Sequence, residues 1–96
     1  MSRHHYIITY DIADDRRRSD VFKMLTGSGD HAQYSVFFCD LNEQELVQLR
    51  ARLRSTIHHR EDQVMIVDLG TAVQPLDAGL QVLGRGYEPM VRSIVI

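Results

Sequence analysis

"HHYIITYDIADDRRRSDVFKML", residues 4–25, decides the fold. Residues 4–11 are rich in β-branched and aromatic side chains, which favours a strand. On a period of two, Tyr6, Ile8 and Tyr10 share one side, and His5, Ile7, Thr9 and Asp11 share the other. With apolar residues on both sides, the strand is expected to be central with both faces covered. Charge then takes over, as Asp14 and Asp15 precede Arg16, Arg17 and Arg18. The carboxylate of Asp14 or Asp15 can cap a helix whose apolar stripe is Val21, Phe22, Met24 and Leu25. The stretch reads as strand, cap, helix.

Downstream, "GSGD" at 27–30 stops the helix, with Gly27 or Gly29 available for a left-handed cap. "AQYSVFFCDL" (32–41) reads as strand, either one bent strand or two short ones. Asn42 stands three residues before Glu45, the spacing of a capping box. Leu46, Leu49, Leu53 and Ile57 recur at helical intervals, which predicts a helix over 43–57. "HHRED" (58–62) is a loop, and "QVMIVDL" (63–69) is a strand closed by Gly70. "LQVLG" (80–84) is a short strand candidate, Gly86 and Pro89 punctuate a turn, and "VRSIVI" (91–96) ends the chain as an apolar strand. A bare terminal strand invites aggregation unless it pairs, so residues 80–96 are expected to serve a homodimer.

No linker, repeat or low-complexity tract divides the chain, so residues 1–96 form one domain. The element order predicts an α+β fold: a ferredoxin-like βαββαβ sandwich with two helices on one face of an antiparallel sheet. That fold hosts many functions and names none.

Composition narrows the setting. At 44% apolar and 25% charged, the 96 residues are those of an ordinary globular domain. No apolar run approaches the about 18 residues of a membrane span, and the start has no signal-peptide pattern. The single cysteine, Cys39, cannot form an internal disulfide, so a cytoplasmic location is expected. Next to Phe37 and Phe38 it reads as a small buried hydrophobe. The net charge of −2 means that nucleic acid would have to bind a local patch. Ten of the eleven basic residues are Arg, whose guanidinium suits phosphate.

Asp11 is the sharpest site candidate. It lies at the C-terminal end of the first strand, where ligand sites often form. It reads either as a ligand for Mg²⁺ in phosphodiester cleavage or as a turn cap paired with an arginine. The three arginines oppose the helix dipole, a cost of about 0.3–1 kcal/mol per charge, but a helix N-terminus attracts anions. They read either as a phosphate grip or as a solvated charge run. Tyr10 and Tyr34 suit base stacking or proton donation, against ordinary half-buried packing. Of Phe37 and Phe38, at least one belongs to the core. Ser35 has no nearby His or Asp to activate it. The pairs His4–His5 and His58–His59 fix no tetrahedral zinc site.

Taken together, "YDIADDRRRSDVFKML", a glycine break, "QYSVF", a capped leucine helix and "DQVMIVDLG" resemble the CRISPR-associated protein 2 family over residues 5–70. The resemblance implies a ferredoxin-like homodimer that takes part in spacer acquisition, with the terminal strand added to the partner's sheet. It implies a Mg²⁺-dependent endonuclease on RNA or double-stranded DNA, with Asp11 as catalytic residue and metal ligand. Tyr10 falls on a motif position as a second catalytic candidate, and Arg17, Arg18, Ser35 and Phe37 fall on motif positions expected to bind nucleic acid. Twofold symmetry would let Asp11 of two subunits share one Mg²⁺. The family also implies an integrase partner, and an alternative function: a non-catalytic adaptor that bridges integrase dimers and holds duplex DNA. The chain departs from the family pattern at His31-Ala32, where members commonly carry Arg-Val, and at Phe38, where an acid often follows.

Overall fold

The computed structural model of the protein describes residues 2–85. The chain runs β1 (Arg3–Asp11), α1 (Asp15–Thr26), β2 (Gly29–Gln33), β3 (Val36–Asn42), α2 (Glu43–Thr56) and β4 (Gln63–Thr71), then a 3-10 turn at Leu76–Gly79. The four strands form one sheet in the order β2-β3-β1-β4, and every neighbouring pair is antiparallel. This is the expected βαββαβ arrangement.

Strand alternation explains the core. Ile8 lies opposite Phe37 on one side and Ile66 on the other, and Tyr6 lies opposite Cys39. These residues share the face that meets the helices, which contribute Val21 and Leu25 from α1 and Leu49 and Leu53 from α2. Phe37, Ile8, Leu25 and Val21 are fully buried. Cys39 is buried with them, as a small core side chain.

Both helices begin as their caps dictate. Asp14 accepts a bond from the Arg17 backbone N–H at 2.9 Å. At α2, the Glu45 N–H donates to Asn42 Oδ1 at 2.8 Å and the Asn42 N–H donates to Glu45 Oε1 at 2.9 Å. The capping box is complete, and Glu45 also pairs with Arg3 of β1. Asn42→Ala should cost about 1 kcal/mol, read as a lower urea midpoint with an unchanged slope.

Four expectations are corrected. Of the two alternatives for residues 32–41 the structure has the second, two strands joined at Tyr34–Ser35; the first correction is that β2 begins earlier, at Gly29. Gly29 sits against β3 so closely that a Cβ there would overlap the Phe38 carbonyl and the Cys39 sulfur, so that part of "GSGD" is strand rather than loop. Gly27, the actual cap of α1, has φ −75°, and neither it nor Gly29 is left-handed. "LQVLG" joins no ladder; beyond the 3-10 turn, residues 80–83 instead lie near Ala32, Val36 and Phe38 on the sheet's second face.

That second face is the fourth correction. Strand alternation places Ile7, Val36, Phe38, Met65 and Val67 on it, yet both helices pack on the other side. Met65 is 53% exposed and Val67 47%. Among the described residues, the central strand β1 therefore has one face covered by helices and one whose Ile7 and Thr9 are only half-buried, beside the exposed Met65 and Val67 of β4. The expected strand at 91–96 and the turn at Gly86 and Pro89 lie outside those residues.

Candidate functional site

The strand end and the helix start meet where β1 leaves the sheet. Asp11 is exposed there, opposite Gln63 of β4, and alternation puts its carboxylate on the open face with Ile7 and Thr9. Tyr10, one residue earlier, points the other way and is buried under the helices. The two expected catalytic residues therefore serve opposite faces. Within one chain, Tyr10 cannot reach a metal held by Asp11 unless the strand repacks.

The arginines are not arranged as an open grip. Arg17 Nε donates to Asp62 Oδ2 at 2.7 Å, and its Nη2 donates to Asp62 Oδ1 at 3.2 Å and to Glu61 at 3.1 Å. Arg18 Nη1 donates to the Ile12 carbonyl at 2.9 Å, and Nη2 pairs with Asp15. Arg17 is thus a strut between α1 and the loop before β4. Arg18 lies at the rim of a depression and has Asp15, an exposed partner, to exchange.

Phe37 is corrected outright. It is fully buried, with ring centroids 4.8 Å from His31, 5.6 Å from Phe22 and 6.3 Å from Tyr10. A base cannot touch it without opening the core. Ser35 is half-buried in the β2–β3 turn, and its carbonyl accepts the Tyr10 N–H at 3.1 Å. Its observed contribution is to hold the end of β1 to that turn.

Asp62 was not singled out by its surroundings in sequence, yet it organises this end of the molecule. Its side chain is solvent-inaccessible. Besides Arg17 it accepts the Ala13 N–H at 2.9 Å and the His58 N–H at 2.7 Å. The charge-assisted bond from Arg17, helped by these backbone donors and opposed by burial, holds its carboxyl far below the ordinary carboxylate value of 3.8. No local motif marks it. Only the β1–β4 register, with Asp11 opposite Gln63, brings residue 62 alongside residues 12–13.

A group depressed in this way stabilises the fold above its unfolded value, and that contribution disappears as pH falls through the folded value. Wild-type melting temperature should therefore hold from pH 7 to 5 and fall below about pH 4. Asp62→Asn should melt several degrees lower at pH 7 and lose less between pH 4 and 2. Thermal melts across that range check both slopes.

His4 and His5 separate as strand geometry requires. His4 Nδ1 bonds Asp68 at 2.8 Å, while His5 Nε2 bonds the Gln74 carbonyl at 2.7 Å. Among the described residues, no three His, Cys, Asp or Glu side chains cluster to hold a metal. No helix among them is long and apolar enough to cross a membrane.

Residues 4–74 match the family described as CRISPR associated protein Cas2. A CRISPR-associated endoribonuclease Cas2 of Geobacter sulfurreducens is 36% identical over 93 residues, covering 97% of each chain. A second, from Rhodospirillum rubrum, is 36% identical over 95 residues, covering 99% of this chain and 92% of that one. Among solved structures, a Cas2 crystal structure superposes with TM-score 0.74 at 28% identity, covering 97% of this chain and 100% of that one. A hypothetical protein from Thermus thermophilus superposes with TM-score 0.76 at 34% identity, covering 92% of this chain and 99% of that one. With a family match over most of its length, near-full-length relatives and a superposable fold, the chain belongs to the Cas2 family.

Proposed function

We propose that the protein works in CRISPR spacer acquisition as a homodimer that binds nucleic acid and cleaves its phosphodiester bonds with Mg²⁺ between two Asp11 carboxylates. The observation that carries this reading is the exposed carboxylate of Asp11 at the edge of an apolar sheet face that is only partly covered among the described residues. Burying that face against a second copy removes Met65 and Val67 from water, and twofold symmetry can bring the two Asp11 residues together.

The donor set fits the metal. Mg²⁺ keeps several waters and uses one or two carboxylates with substrate phosphate. Asp11 from each of two chains would supply that number. Bound there, the ion stabilises charge on the phosphate and activates water. Asp11 holds it, and the Arg17–Asp62 strut keeps the strand end and the helix start in register. Because the two named relatives are called endoribonucleases, single-stranded RNA is the first substrate to test.

The second reading is an adaptor that joins integrase subunits and supports duplex DNA without cutting it. The lack, among the described residues, of three clustered His, Cys, Asp or Glu side chains and the occupied Arg17 favour it. Incubation with RNA and duplex DNA, in Mg²⁺ and in chelator, separates the two. Mg²⁺-dependent cleavage supports the nuclease; binding without cleavage assigns the adaptor. Val67→Asp places a charge in the proposed interface and should turn the dimer into a monomer at micromolar concentration. Sedimentation that still finds a dimer would move the interface elsewhere.

A further inference from the structure

On the helix side of the sheet, opposite the Asp11 face, a depression of about 320 Å³ opens between the start of α1 and the β2–β3 turn. That is near the lower end of the about 300–1,000 Å³ typical of small-ligand sites. Its walls include ring systems: Phe22 and His31 meet edge to face with centroids 5.1 Å apart, and Tyr34, 78% exposed, also lines it. Tyr10 forms the floor, joined to the other rings through Phe37. Polar groups are few and sit at the rim. Arg18 is a cation, while Asp15 and Ser19 can accept hydrogen bonds.

This combination does not suit a purely apolar ligand or a bare phosphate. An apolar ligand would leave Arg18 and Asp15 without purpose. A phosphate alone would meet the Asp15 carboxylate and three flat rings. A flat heterocycle with exocyclic N–H groups and an attached phosphate satisfies all of them. Its face stacks on aromatic rings, its edge donates to a carboxylate, and its phosphate meets the guanidinium. Asp15 is 94% exposed at its side chain, so its pair with Arg18 is readily exchanged. The Tyr10 phenol is pushed up by burial first, then by Tyr34, with Arg18 pulling the other way, which keeps it protonated as a donor.

We propose that the Phe22–His31–Tyr34 depression binds one unpaired nucleobase, stacked on Tyr34, with Arg18 holding the adjoining phosphate. The inference rests on the nucleic-acid reading above and extends it to unpaired strands. Such a site lies on the far side of the sheet from Asp11, so it would anchor a single-stranded or frayed end rather than present a bond for cleavage.

The test uses the full chain and a single-stranded oligonucleotide carrying one 2-aminopurine, whose fluorescence is quenched by stacking. Wild-type protein should bind and quench it. Tyr34→Ala, at an exposed turn position, should weaken binding about tenfold and lose the quench. Tyr34→Trp should restore both, which a merely structural role would not do. The loss should be smaller on a fully paired duplex. If Tyr34→Ala binds and quenches like wild type, the pocket is overturned while the nucleic-acid function stands. If wild-type protein binds neither strand nor duplex, the nucleic-acid reading fails and the pocket with it.

Discussion

Asp11→Asn should abolish Mg²⁺-stimulated cleavage, by about a hundredfold or more, while leaving a folded dimer. The substitution keeps shape and removes charge. Asp11 is exposed, opposite Gln63 at the strand end, so its contribution to stability should stay within about 0.5 kcal/mol. Loss of a group that merely orients a metal ligand commonly costs about 10–100-fold. Removing the carboxylate that binds the ion itself should cost more, and a symmetric dimer loses both copies at once. Circular dichroism and sedimentation on the same preparation establish that the fold and the dimer survive. Undiminished cleavage by the variant would remove Asp11 from the chemistry. If wild type does not cleave, the variant should support spacer acquisition as well as wild type, which is the adaptor's signature.

Phe37→Ala should have the largest effect on stability. Phe37 is fully buried at the centre of the ring cluster and opposite Ile8 in the sheet. Truncating a buried phenylalanine costs about 3–5 kcal/mol, against a total stability of about 5–15 kcal/mol for a domain. For a chain of this size that lowers the melting temperature by roughly 15–30 °C. Any loss of nucleic-acid binding in this variant should therefore follow the unfolding curve and be recovered on cooling. Binding lost at temperatures where the variant is folded would instead give Phe37 a direct contact, which its burial opposes. Phe37→Leu, which keeps most of the volume, should restore much of the stability.

Periodicity made most of the fold legible. Tyr6, Ile8 and Tyr10 alternate onto the core, Leu49 and Leu53 lie one helical turn apart, and the Asn42–Glu45 spacing states its own cap. What escaped were features set by partners distant in sequence. Met65 and Val67 have the composition of core residues, and an apolar strand does not state whether its second face is covered; here both are about half exposed. Gly29 reads as a helix stop until β3 is placed against it. The site divides in the same way. Asp11 stands out as a candidate from its place at the end of an apolar strand, and the structure leaves it exposed. Phe37 stands on a motif position because the core requires it, and a motif does not distinguish packing from contact. Arg17 resembles a phosphate ligand until register brings up Asp62, 45 residues away, which claims it.

The central claim is that two Asp11 carboxylates, one from each subunit, share a single divalent ion. Titration calorimetry with Mn²⁺ on the wild-type dimer and on Asp11→Asn tests it most directly. One ion per two chains is expected in wild type and none at this site in the variant. A stoichiometry of one ion per chain, or binding unchanged by the substitution, would contradict it.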